Sequence, residues 1–220
     1  MPHYSLPNIE LFCFPSGPLG TNCYLVICKK TKQAAVIDPA SDSWLLVTRA
    51  CEKSGATLTK VIITHSHWDH IADAAKFVKA QHIPVLIHEE DAPNLRNPGA
   101  DGLSCWLSIE PVEPTAFLKE HGSLSVGDWQ CRVIHTPGHS PGGICLYDQA
   151  DKILISGDTL FKGSLGRLDL PTGEPERMWA SLKKLALLDP DTQVFPGHGP
   201  PTTIGNESWL TRAEEIFGKT

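Results

Sequence analysis

Four stretches of the sequence repeat one pattern: an apolar run that reads as a buried strand, a tight or glycine-containing turn, then a side chain able to bind a metal. They are VIITHSHWDH (His65, His67, Asp69, His70), RVIHTPGH (His139), ILISGD (Asp158) and QVFPGH (His198). Gly138, Gly157 and Gly197 stand directly before a ligand-type residue, where the backbone has to turn sharply at little steric cost. Any one of these histidines alone reads as a surface or core residue. Four recurrences in one local context require a fold whose strand ends gather along a single rim.

Spacing divides the seven side chains into two groups. In an extended chain, residues two apart point the same way, so His65 and His67 reach one ion, while Asp69 and His70 open the next turn and face a neighbouring position. Three imidazoles with an open coordination position is the catalytic rather than the structural zinc pattern, and a shared carboxylate suits two ions about 3.5–4 Å apart. The expected arrangement is His65, His67 and His139 on one divalent cation, Asp69, His70 and His198 on a second, and Asp158 between them. Asp69 and Asp158 are the expected catalytic carboxylates, holding the ions and orienting the water they activate. Zinc is the expected metal, although the same nitrogen and oxygen ligands accept iron or manganese. Asp38, in VIDPA, has two readings: an acceptor that orients a ligating imidazole, or an ordinary turn aspartate before Pro39. His3, His82 and His121 read as surface residues, and His88 and His135 as core or supporting ones.

The rest of the chain supplies strands and helices around this pattern. ELFCF, CYLVICK and AAVIDP read as an antiparallel meander, and residues 43–55 as a helix with Ser41, Asp42 or Ser43 as its cap and Gly55 as its stop. KVIIT is followed by a helix over 71–81 and a strand at IPVLIH. Residues 91–125, rich in Pro and Gly, show no periodicity, which is the character of a binding segment. CRVIHT, ICLYD, KILISG and TQVFPG are strands, Pro175 opens a helix carrying Met178, Trp179, Leu182, Leu185 and Ala186 on one stripe, and 205–218 reads as a terminal helix. A meander followed by mixed strands and helices, twice over, predicts an α/β fold in which two packed mixed sheets carry helices outside. Residues 1–220 are expected to form one domain.

Composition narrows the function. Hydrophobic residues make up 41% and charged residues 20%, an ordinary globular balance. A net charge of −6 without a long basic run argues against a nucleic-acid surface. No run approaches the roughly 18 apolar residues of a membrane span and no basic-then-apolar leader opens the sequence, so a cytoplasmic protein without membrane partners is expected. The seven cysteines are scattered without a C-x-x-C pair, which excludes a disulfide framework or zinc ribbon as the organising principle.

Two motifs invite other chemistry. GHSPG, residues 138–142, matches the G-x-S-x-G elbow of serine hydrolases, but there the residue after the serine donates its N–H and opens a helix. Here Pro141 has no N–H and a strand follows. GSLGR, residues 163–167, lacks the G-K-[ST] ending of a phosphate loop and reads as a turn beside the site. Trp68 and Trp106 are candidates for pocket walls, with buried packing as the simpler role for each.

THSHWDH, TPGHSPGG, SGDTLF and PGHG resemble the motifs of the metallo-β-lactamase-fold hydrolases, and GDTLFKGSLGRLDLPTG resembles the glyoxalase II-like, or hydroxyacylglutathione hydrolase-like, branch. The likeness runs from GTNCYLV to PGHGPPTTIG. It implies a four-layer αββα sandwich of two mixed β-sheets with helices outside, and a two-metal site at one sheet edge. It also implies hydrolysis of a small-molecule thioester such as S-lactoylglutathione, through water whose pKa a metal lowers towards about 7. After His198 the sequence reads GPPTT, where glyoxalase II carries a Glu-Tyr pair and a helical C-terminal region that holds glutathione. The implied protein therefore has the fold and metal set without that glutathione grip. A relative with one iron on two histidines and an aspartate oxidises glutathione persulfide; FKGSLGRLDLP here differs from the IRGCGRTDFQ-like stretch of that branch. A non-catalytic metal-binding protein is the remaining alternative, and an open seven-ligand set fits it poorly.

Overall fold

The computed structural model describes residues 2–218, and its strands form two large sheets. The first is built in chain order from β1 (His3–Ser5), β2 (Ile9–Ser16), β3 (Thr21–Cys28), β4 (Gln33–Ile37), β5 (Thr57–Ile62), β6 (Val85–His88) and β7 (Ala116–Leu118). The second uses β8 (Ser123–Val126), β9 (Trp129–His135), β10 (Ile144–Asp148), β11 (Ile153–Gly157), β14 (Gln193–Pro196) and β15 (Thr202–Thr203), in the order β15-β14-β11-β10-β9-β8. A small hairpin, β12 (Leu160–Phe161) and β13 (Ser164–Leu165), stands apart. Both sheets are mixed. The meander β1 to β4 is antiparallel, β4 to β7 pair in parallel, and β11 pairs in parallel with β14.

Side-chain alternation creates three apolar layers from two sheets. On β3, whose every residue is buried, Cys23, Leu25 and Ile27 face helices α1 (Trp44–Ser54) and α3 (Ala74–Gln81), while Tyr24 and Val26 face the other sheet. The middle layer is completed by Leu124, Val126, Val133, Leu146 and Ile155 of the second sheet. That sheet's far face, with Ile134, Tyr147, Leu154 and Val194, is covered by Met178, Trp179, Leu182 and Leu185 of α5 (Pro175–Leu185), the stripe expected from the sequence. The result is the expected αββα sandwich. No helix among the described residues is long and apolar enough to cross a membrane.

Several local expectations are corrected. The segment 71–81 is not one helix: α2 (Trp68–Ile71) ends before Asp73, which precedes α3. The Asp73 carboxylate accepts from the Trp44 N–H at 3.0 Å, so α1 is capped from a distant element, and Ser43 makes no side-chain cap bond. Residues 91–125 are not structureless. They contain α4 (Ala92–Arg96) together with β7 and β8, and the Asn94 side chain accepts from the Gly99 and Asp101 N–H groups to fix the turn that follows. The 205–218 stretch is broken into short 3₁₀ turns and α6 (Ala213–Phe217). Gly55 ends α1 in the left-handed conformation, as expected.

Parallel strands that share a direction also share an end. The carboxyl ends of β4, β5, β6, β11 and β14 therefore lead into Asp38, the His65–His70 turn, Asp91, Asp158 and His198 along one rim.

Candidate metal centre

All seven side chains singled out by the sequence meet at that rim. His65, His67 and His139 form one group whose ligand-type atoms lie within 4.8 Å of one another, and Asp69, His70 and His198 form a second. Asp158 stands between them. Its Oδ1 is 3.4 Å from His70 Nε2, and its Oδ2 is 3.4 Å from His139 Nε2 and 3.5 Å from His198 Nε2. Asp69 Oδ2 is 3.2 Å from His198 Nε2 and 3.4 Å from His70 Nε2.

Four of the five imidazoles have one nitrogen occupied by the protein, which leaves the other for the centre. His139 Nδ1 donates to the Arg167 carbonyl at 2.9 Å, so its Nε2 faces inward. His65 Nδ1 lies 3.2 Å from Thr64 Oγ1, which itself donates to Asp38 Oδ2 at 2.6 Å. His67 Nε2 meets the Thr172 hydroxyl at 2.9 Å, and that hydroxyl donates onward to the His139 carbonyl. His70 Nδ1 donates to Asp38 Oδ2 at 3.0 Å. Held acceptors of this kind fix the orientation of metal-binding histidines.

Three buried atoms at the centre have no hydrogen-bond partner: His65 Nε2, His139 Nε2 and Asp158 Oδ1. Buried polar atoms without partners are costly, and one cation beside each group would satisfy them. The charge balance fits the same ligands. Burial, reinforced by the neighbouring imidazoles, pushes His65 well below its ordinary value, and burial holds His67 at about 3, so both are neutral as ligation requires. At His70 burial acts downward but is outweighed by Asp69, Asp158 and Asp38, which raise it well above the ordinary value; His198 is raised in the same way, with Asp69 as its hydrogen-bond partner. Burial opposes the ionised form of Asp69, yet His70 and the hydrogen bonds from His198 and Thr21 hold it below the carboxylate range. The second group is thus an acidic niche that attracts positive charge.

Glycine appears where a side chain would fill the centre. A Cβ on Gly197 would lie 2.0 Å from Asp158 Oδ1, and one on Gly166 would lie 2.9 Å from His139 Cγ. Gly138 combines a positive φ with backbone packed against Met178, where a Cβ would come within 2.5 Å. Gly197 has no positive φ, so close approach rather than the turn is what excludes a side chain there.

The structure resolves the open reading of Asp38, which adopts φ +50 and serves Thr64 and His70 rather than a simple turn. Sequence reasoning missed Thr21, whose hydroxyl donates to Asp69 Oδ2 at 2.6 Å, and Thr172. It also missed Asp91, whose carboxylate accepts from Ser66 N, Ser140 Oγ and Gly142 N at 2.8, 2.9 and 2.6 Å and so ties the His65–His67 turn to the loop after His139. An aspartate three residues past a strand end was a usable signal for Asp91; Thr21 and Thr172 carried none. Ser140 is buried and donates to Asp91, which gives the GHSPG motif a structural explanation. His88 and His135 stack with centroids 3.9 Å apart and planes at 14°, and stay outside the centre. One ring nitrogen of each lies with a Glu90 carboxylate oxygen within 4.8 Å of one another, a separate ligand-type cluster away from the seven-residue centre. His3, His82 and His121 are exposed. Six of the seven free cysteines are buried.

A cavity of about 430 Å³ opens onto the centre, lined by His67, Asp69, His139, Asp158 and His198 on its floor. Trp68 and Trp106 both line it, with ring centroids 5.2 Å apart. Trp106 is 70% exposed, which corrects the packing role expected for it.

Comparison with known proteins agrees with this geometry. The profile of the metallo-beta-lactamase superfamily matches residues 16–198. Hydroxyacylglutathione hydrolase GloC of Haemophilus influenzae is 32% identical over 206 residues, covering 91% of this chain and 94% of its own. Among solved structures, BLEG-1 B3 metallo-beta-lactamase superposes with a TM-score of 0.83 at 35% identity, covering 91% of this chain and 99% of its own. TTHA1623 in a di-iron-bound form gives 0.74 at 38% identity, covering 90% and 96%.

Proposed function

This chain belongs to the metallo-β-lactamase superfamily of metal-dependent hydrolases, and from that premise we propose that it cleaves small-molecule acyl thioesters of the S-lactoylglutathione kind with two divalent cations. The observation that carries the reading is the placement of Asp158, whose two carboxylate oxygens reach the histidines of both groups. His65, His67 and His139 would hold one cation, Asp69, His70 and His198 the other, and Asp158 would serve both. A cation pair supplies an activated water at neutral pH and neutralises charge developing on a carbonyl oxygen.

The chain's own contribution is to position and to exclude. Asp38, Thr21, Thr64 and Thr172 hold the ligand side chains in fixed rotamers, so little reorganisation is needed when substrate enters. Asp69 and Asp158, kept ionised by the neighbouring imidazoles, offer acceptors for a proton at the floor of the cavity. The lining holds no unused histidine or carboxylate placed as a general acid, which suits a thiolate leaving group, whose conjugate thiol has a pKa near about 8.5. The name of GloC supports the thioester half of this reading. Zinc remains the proposed metal, with iron as the alternative that the di-iron form of TTHA1623 brings forward.

The test is metal analysis and turnover on one preparation, with S-lactoylglutathione, a chromogenic β-lactam and glutathione persulfide as parallel substrates. Two metals per chain with thioester cleavage is the expected result. One iron with oxygen uptake on persulfide, or β-lactam cleavage in place of thioester cleavage, overturns it.

A further inference from the structure

The walls of the cavity differ in character from its floor. Beyond the candidate ligands it is lined by Leu19, Trp68, Leu103, Trp106, Phe161 and Leu170, with Ser104 and Arg167 as the polar members. Leu19 is 52% exposed at the turn between β2 and β3, and Trp106 is 70% exposed on the segment after α4. Single exposed apolar residues are ordinary on a protein surface, but here two large ones from distant parts of the chain line one opening above the same centre. Phe161 extends this wall to His198, its ring meeting the imidazole edge-on at 6.1 Å. The one cation of the lining is already engaged: Arg167 donates to both carboxylate oxygens of Asp169 at 2.9 and 2.7 Å. A tripeptide thiol with two carboxylates would have to compete with Asp169 for that exposed guanidinium, the one Lys or Arg side chain among these lining residues.

We infer that the site selects its substrate by an apolar group packed between Leu19 and Trp106, so that thioesters of apolar acyl chains are preferred over the short hydroxyacyl lactoyl group. The inference rests on the proposed thioesterase activity for its substrate class, and it adds the specificity-determining residues. The physical basis is that an acyl chain placed over the centre would exchange water for the Leu19, Trp106 and Leu170 surfaces, whereas a hydroxyl would meet only Ser104 and Arg167 as polar side chains among walls that are otherwise apolar.

Two measurements on the metal-loaded protein test it. In the first, kcat/KM is compared for lactoyl, butanoyl and hexanoyl thioesters of glutathione. Burying a methylene corresponds to about a fourfold gain, so a rise of two- to fourfold per added methylene is expected, and Leu19→Ser and Trp106→Ala should each flatten that rise. In the second, the uncleavable thioethers S-methyl-, S-butyl- and S-hexylglutathione are titrated by tryptophan fluorescence, with tighter binding expected for the longer chains. Cleavage of the whole series at one rate, with thioether binding indifferent to length, overturns this inference and leaves the thioesterase reading intact. Length-dependent binding without thioester cleavage overturns the thioesterase reading and retains the apolar ligand class. A length dependence unchanged in both variants overturns the assignment to Leu19 and Trp106.

Discussion

Asp38 Oδ2 lies 3.0 Å from His70 Nδ1, and both side chains are buried. The same carboxylate accepts from the Thr64 N–H at 2.7 Å and the Thr64 hydroxyl at 2.6 Å, so one aspartate fixes the ring of His70 and the start of the His65 turn together. Asp38 touches neither the cavity nor the centre directly. It acts by holding the group that does.

Asp38→Asn preserves shape but places an amide NH₂ against donors it cannot satisfy. Loss of the acceptor opposite a metal-binding histidine typically weakens affinity about 10- to 100-fold. Metal content after mild chelation is expected to fall from two towards one per chain, with the fold intact by circular dichroism. Two tightly held metals in this variant would remove Asp38 from the account.

Asp91 accepts three hydrogen bonds that join the two ligand-bearing loops, and it is fully enclosed. In Asp91→Asn the amide must turn its NH₂ towards either Gly142 N–H or the Ser66 and Ser140 donors. A buried donor facing a donor costs about 1–3 kcal/mol, so thermal unfolding should shift downward by several degrees. The three-histidine group should also hold its metal less firmly, because His139 and the His65–His67 turn lose their common anchor. An unchanged melting temperature in calorimetry would contradict both expectations.

Ser140→Ala distinguishes the structural role of GHSPG from a nucleophilic one. Removing the hydroxyl takes away one of the three hydrogen bonds to Asp91, a loss of about 1 kcal/mol in stability. Hydrolytic activity should stay within a fewfold of the parent protein. A drop of a thousandfold or more with metals still bound would reinstate Ser140 as a reacting group.

Much of this architecture was legible from residue order because strand, turn and ligand are coded locally. VIIT, ILISG and QVFPG each announce a buried strand, and the residue after each turn has no apolar reason to be there. Asp38 was visible as a candidate but ambiguous, since its role depends on His70, which lies 32 positions away in sequence. Thr21 and Thr172 were invisible for the same reason in stronger form: a lone threonine in a turn carries no local pattern, and only the closed sheets bring it to Asp69 or His67. The short elements within 91–125 were not visible because strands at a sheet edge, such as Ala116–Leu118, present too few residues for alternation to register, while Leu103, Ser104 and Trp106 of the same stretch line the cavity, in keeping with a binding segment. The break at Asp73 was likewise a tertiary effect, with its carboxylate drawn to Trp44.

Acidity separates the metal-free protein from the loaded one. His70 has a folded-state pKa raised above its ordinary value of 6.5, burial acting against this and the carboxylates Asp69, Asp158 and Asp38 overcoming it. The stability contributed by that proton is therefore complete below pH 6.5 and is lost as pH rises through the folded value. With cations bound the dependence reverses, because proton and metal compete for the same nitrogen. Chelated protein should thus lose stability as pH rises above neutrality, where His65 and His67 are already neutral in both the folded and unfolded chain and add no opposing slope, while loaded protein gains it. Metal stabilisation of about 4 kcal/mol is expected where the free cation exceeds its dissociation constant a thousandfold. Parallel melts across pH with and without chelator read both slopes, and identical slopes would argue against cation binding at His70.

Gly197→Ala isolates the centre from the rest of the fold. The backbone at 197 has no positive φ, so alanine meets no conformational penalty there, yet its Cβ would stand 2.0 Å from Asp158 Oδ1 and 2.8 Å from His70 Cε1. Neither neighbour yields easily, since His70 is held by Asp38 and Asp158 is enclosed between the two groups. The displaced carboxylate would no longer reach both histidine sets. Turnover should fall by at least a hundredfold and bound metal towards one per chain, while the three apolar layers keep the secondary structure. Metal content separates this outcome from general misfolding: a folded variant with two metals and parental turnover would show that Asp158 need not stand where the structure places it.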